Sequence, residues 1–90
     1  MTTSASGNSS ETFVSRGYLQ WRCRRGMKEL DVMLVRFLEQ NFEQMDARQR
    51  ANFNRFLDEP DTRIWQWLLG REQPPVEAYR DFVERIRTLS

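Results

Sequence analysis

Apolar residues return at helical spacing along almost the whole chain, and no stretch alternates apolar with polar in the manner of a half-buried strand. A fold of helices packed on one another is therefore the architecture open to it. With only 90 residues, such a chain can close one core and no second one.

The spacing and punctuation predict five helices. The first covers residues 15–25, with Tyr18, Leu19, Trp21 and Arg22 on adjoining faces, and Gly26 stops it because Gly readily takes the left-handed conformation that closes helices. The second covers residues 27–42, where Met27, Leu30, Leu34, Phe37, Leu38 and Asn41 trace a single stripe that must be buried. A third starts at Asp46, which forms a capping-box pattern with Gln49 and leads into Phe53, Phe56 and Leu57. Pro60 interrupts, and Asp61 is placed to cap a fourth helix through Ile64, Trp65, Trp67, Leu68 and Leu69, ended by Gly70. After the rigid Pro74-Pro75 link, Val76, Tyr79, Phe82, Val83 and Ile86 form the apolar stripe of a fifth. The expected result is an all-α, compact five-helix bundle over residues 13–90, preceded by a disordered Ser/Thr-rich tail over residues 1–12.

Little in this chain is suited to catalysis. There is no His and a single Cys, which removes the usual general base near neutral pH, the commonest metal ligand, any internal disulfide and any thiolate zinc site. Cys23 reads as a small core filler, since no His is available to activate it. One Cys and no signal-peptide pattern fit a reducing cytoplasm, and no apolar run approaches the roughly 18 residues of a membrane span. Of Trp65 and Trp67, which straddle a short helix, one should be core and the other can reach the surface. Asp58 and Glu59, before Pro60, read as turn carboxylates.

The net charge of +1 is a cancellation. Arg16, Arg22, Arg24, Arg25 and Lys28 follow one another with no acid among them, whereas residues 29–90 carry 9 bases against 12 acids. The densest segment, residues 21–31, lies at the break between the first two helices. A solvated face is the ordinary reading of such a cluster. An Arg25–Glu29 pair, available only if the helix ran through Gly26, would contribute about 0.3–0.5 kcal/mol on a surface, so stability accounts poorly for the cluster. A guanidinium, a bare backbone and a carboxylate on one ridge suit docking against a protein, because Arg makes forked hydrogen bonds to carboxylates and carbonyls.

Arg25-Gly26-Met27-Lys28-Glu29 resembles the Arg-Gly-x-x-Glu signature of the succinate dehydrogenase assembly factors of the SdhE type. The longer string from Trp21 to Asp31 is similar to that family's Trp-x-x-Arg-Arg-Gly-Met-x-Glu-Leu-Asp, and Leu57-Asp58-x-Pro60-Asp61 through Trp67-Leu68-Leu69-Gly70 resembles its second recurrent segment. The resemblance covers about residues 16–88. It implies a non-enzymatic chaperone that binds the flavoprotein subunit of succinate dehydrogenase, and of fumarate reductase, and promotes covalent attachment of FAD to a His of that partner.

On this resemblance Arg25, Gly26 and Glu29 form the docking site, with Arg24 and Trp21 beside them, and Asp31 either adds a contact or braces the ridge. The reactive side chain belongs to the partner, so the missing His is no obstacle. The chain is expected to act as a bacterial cytoplasmic monomer. It is expected to hold no cofactor stably, and its four glycines form no phosphate-cradling fingerprint. The alternative is a small helical nucleic-acid-binding or regulatory protein that sets the basic segment 16–28 and Trp21 against phosphates and bases, with binding that falls steeply with salt.

Overall fold

A computed structural model describes residues 14–88 of the chain. The expected tail at residues 1–12 lies outside the described residues. Within them the secondary structure is helical: α1 (Arg16–Arg22), α2 (Lys28–Asn41) with a short 3-10 turn (Phe42–Gln44), α3 (Ala47–Phe56), α4 (Asp61–Leu68) and α5 (Glu77–Arg87). This is the five-helix, all-α architecture that the apolar spacing predicts.

The core is centred on stacked and edge-on aromatic rings. Phe37 of α2, Phe53 and Phe56 of α3 and Phe82 of α5 lie with ring centroids 5.3–5.9 Å apart, and Trp67 of α4 and Tyr79 of α5 extend the cluster from Phe56. Tilted and edge-to-face rings at these distances add to the burial of their large apolar faces. Helix α5, contributing Tyr79, Phe82, Val83 and Ile86 as buried residues, touches α2, α3 and α4 and so closes the bundle. Leu30, Leu34, Phe37 and Leu38 of the α2 stripe are buried. Asn41, at the end of that stripe, is only half-buried and its Nδ2 donates to the Phe37 carbonyl.

The punctuation behaves as local chemistry dictates at two places. Asp46 accepts from the Gln49 amide while the Gln49 side chain accepts from the Asp46 amide, the reciprocal capping box. Gly70, at φ +79°, follows the last turn of α4 and donates to the Trp67 carbonyl while Arg71 donates to that of Gln66. These are the two bonds of a Schellman ending, which needs a left-handed residue at this position. Trp67 is buried and Trp65 is half-buried against the core.

Three expectations are corrected. Helix α1 ends at Arg22, three residues before residue 25, with Cys23 as its C-cap. Had the helix continued, the Arg25 amide would donate to the Trp21 carbonyl; instead Arg24 takes that carbonyl and the Arg25 amide is drawn to Asp31. Asp61 does not cap α4: Pro60 is the N-cap residue, and the Asp61 carboxylate accepts from a distant guanidinium. Val76 belongs to no stripe, being the exposed N-cap residue of α5.

Candidate functional site

The loop between α1 and α2 folds back on itself at Arg25 and Gly26. Gly26 has φ +98°, a backbone region that side-chain-bearing residues rarely enter, and a Cβ placed there would meet nothing within 4 Å. Gly26 is thus required by the turn rather than by crowding, and its backbone stands open to solvent.

Two carboxylates hold this corner. Asp31, one turn into α2, accepts from the Arg25 amide with Oδ1 (2.8 Å) and from the Gly26 amide with Oδ2 (3.2 Å). Both carboxylate oxygens of Asp31 thus hold the ridge from within the chain. The Arg25 side chain points away from solvent, only 13% exposed: its Nε donates to Asp61 Oδ1 at 2.5 Å, while Nη1 and Nη2 donate to the carbonyls of Leu57 and Glu59. All three guanidinium nitrogens are therefore engaged within the molecule, and no Arg25–Glu29 pair forms.

Arg22 makes a parallel set of bonds. Its Nη1 donates to the Asn54 carbonyl and Oδ1 (2.8 and 2.7 Å), and its Nη2 to the Leu57 carbonyl and to Asp58 Oδ1 (3.2 and 2.6 Å). The α1–α2 loop and the α3–α4 turn, more than thirty residues apart in sequence, are thereby pinned together by two arginines. Between them lies a shallow groove of about 530 Å³ lined by Trp21, Arg22, Arg24, Arg25, Leu57, Asp58 and Asp61.

Around this pinned frame stand exposed groups. Trp21 is 69% exposed and leans on the half-exposed Tyr18, ring centroids 6.2 Å apart. Arg24, Gly26, Lys28 and Glu29 are exposed as well, Glu29 in the first turn of α2. The signature residues thus divide between an inward Arg25 and an outward Gly26 and Glu29. A protein surface meeting this face would find an indole, a cation, a bare peptide and a carboxylate carried on a backbone that Asp31 holds.

Residues 18–90 match the protein family described as the flavinator of succinate dehydrogenase. The chain belongs to that family. It is 39% identical over 72 residues to the FAD assembly factor SdhE of Coxiella burnetii, spanning 80% of this chain and 88% of that one. To the FAD assembly factor SdhE of Haemophilus ducreyi it is 35% identical over 74 residues, 82% of this chain and 90% of the other. The FAD assembly factor SdhE of Xylella fastidiosa strain 9a5c is 39% identical over 71 residues, 79% and 73% of the two chains. No solved structure matches it.

Flavinator relatives carry the name of a factor rather than of a catalyst, and Cys23 of this member is in keeping with that. The thiol is fully buried beneath the α1–α2 loop, and burial pushes its pKa up to about 12 against the pull of Arg25 and Arg22. It stays protonated and shielded, a core filler as its surroundings in the sequence predict. The nucleic-acid reading is not favoured, because Arg22 and Arg25 are ion-paired to Asp58 and Asp61. That leaves Arg16, Arg24 and Lys28 as the exposed bases of the segment. Among the described residues, no helix is long and apolar enough to cross a membrane.

Sequence reasoning missed the partners of the corner: Arg22 reads as charge, Asp58 as a turn carboxylate and Asp61 as a cap, and Asn54 stands out in no pattern. A signal was present in the spacing. Arg22 and Arg25 are three apart, Asp58 and Asp61 are three apart, and the two pairs mate in order.

Proposed function

We propose that this flavinator family member docks on the flavoprotein subunit of succinate dehydrogenase, or of fumarate reductase, and promotes covalent attachment of FAD to a His of that subunit. The observation that carries the reading is the division of the signature: Arg25 and Asp31 hold the corner from within, while Gly26 and Glu29 are left facing outward on a fixed backbone. The docking face consists of Gly26 and Glu29 with Arg24 and Trp21 beside them. FAD and the reactive His belong to the client, and this chain binds no cofactor stably.

The chain contributes by position. A rigid face that selects one arrangement of the client's flavin-binding region brings His and flavin into reacting geometry, and orientation alone can supply a large part of a barrier reduction. A factor of this kind acts as a monomer in the bacterial cytoplasm, where the apo flavoprotein is made.

The test combines the purified protein, apo flavoprotein and FAD, and follows covalent flavin by in-gel fluorescence after denaturation. Glu29→Ala is the cleaner variant, since an exposed side chain costs little stability to remove. Gly26→Arg adds both bulk and an unfavourable positive φ. Both should yield at least about tenfold less covalent flavin, the change expected on loss of a central contact. Attachment at the wild-type rate with both folded variants would remove the docking site from consideration.

A further inference from the structure

We propose that Asp61 and Asp58, on the turn between α3 and α4, are positioning residues for docking: acting through Arg25 and Arg22, they set the orientation of the Gly26 corner. This rests on the reading of Gly26 and Glu29 as the docking face, and it adds a second part of the chain to the machinery. Neither aspartate needs to touch the client.

Gly26 has no side chain with which to anchor itself. A glycine at positive φ with open space around it has nothing of its own to select one conformation from the many it can adopt. Its orientation must be imposed by its neighbours. Asp31 fixes the amides of residues 25 and 26 from the α2 side, but those two bonds alone would let the corner pivot about the start of α2. The remaining restraint comes through the Arg25 side chain. Its three nitrogens are held by one carboxylate and two carbonyls of residues 57–61, a planar fork engaged at every nitrogen.

Arg22 repeats the arrangement one helical turn earlier and clamps the end of α1 to Asn54, Leu57 and Asp58. The corner is therefore suspended from the α3–α4 turn by two arginines that share the Leu57 carbonyl and end on separate carboxylates, Asp58 and Asp61. An aspartate in this position serves something other than its own helix. Asp61 leaves the α4 amides uncapped by its side chain and spends its carboxylate on Arg25 instead.

The experiment uses the full chain and two readouts. The first is the amide resonance of Gly26 in a nitrogen–proton correlation spectrum, which reports the corner directly. The second is the factor concentration giving half-maximal covalent flavin on the apo flavoprotein. Asp61→Ala should displace the Gly26 and Arg25 resonances and raise the half-saturating concentration about tenfold, the equivalent of one charged hydrogen bond. Asp61→Asn, which keeps an acceptor oxygen, should recover most of both. Asp58→Ala, at a more exposed carboxylate, should act in the same direction and less strongly, and it provides a folded variant if Asp61→Ala does not fold.

Asp46→Ala is the control, because it removes the α3 cap and lowers the melting temperature without touching the corner. It should leave both readouts at wild-type values. Unchanged Gly26 resonance and half-saturation in the folded aspartate variants would overturn the proposal, as would an equal loss in Asp46→Ala. If instead wild-type protein fails to promote attachment at all, the docking reading falls, and the Gly26 resonance still decides whether the aspartates position the corner.

Discussion

Cys23 and Gly26 lie three residues apart and answer to opposite constraints. Gly26 must have no side chain and faces solvent; Cys23 is sealed in the core, its thiol held protonated by burial. The Cys23 shift has a definite sign in a pH titration. The folded-state pKa lies above the ordinary thiol value of 9.0, at about 12, so the folded chain keeps its proton over a range where the unfolded chain loses it. The contribution is fully present below pH 9 and declines as the pH rises from 9 toward 12. Tyr79, whose pKa is also raised by burial and by the nearby carboxylates of Glu59 and Asp58, adds to the decline at the alkaline end. Urea unfolding of wild type and Cys23→Ala at pH 8 and pH 10.5 checks this: the wild type should lose more stability between the two, and an equal loss would contradict the assignment.

Among the elements, what could be read from the sequence depended on whether the deciding contact was local. The capping box of α3 is formed by residues three apart, and the sequence pattern identifies it correctly; Asp46→Ala should cost about 1 kcal/mol, measurable as a lower midpoint in urea at unchanged slope. The Schellman ending of α4 at Gly70 is equally local and was equally legible. Asp61 and the end of α1 were not. Asp61 can satisfy either the amides of its own helix or the guanidinium of Arg25, and the choice depends on how α1 packs beside α3, which no local pattern states. A second non-local contact shortens α1, because Asp31 of α2 draws the Arg25 amide out of the helical register. Exposure of Val76 has a simpler origin: a residue one position before a helix can fall on the apolar period without lying on its buried face.

For the whole molecule, the aromatic cluster is the part whose loss the fold can least absorb. Phe56 is fully buried and is flanked by Phe53, Trp67, Tyr79 and Phe82. Phe56→Ala should cost about 3–5 kcal/mol, a large share of the 5–15 kcal/mol that a domain usually has. Calorimetry or circular dichroism melting would register it as a melting temperature lowered by many degrees, or as a chain unfolded at 37 °C. The core positions were legible because periodicity reports burial. The candidate site stood out as a segment, residues 21–31, but not as an arrangement, since the inward turn of Arg25 depends on two carbonyls and one carboxylate from residues 57–61. The basic run likewise looked stronger in the sequence than it is in space, two of its charges being matched across the molecule.

The sealed thiol has a practical corollary. Because the chain's sole cysteine is buried and protonated, a new cysteine can be placed at Lys28 or Val32, both exposed beside the proposed docking residues, without first removing the native one. Each such position becomes an address for a photo-crosslinker or a spin label. The imprint of the proposed docking face on a candidate flavoprotein could then be mapped one residue at a time, against a background that does not react.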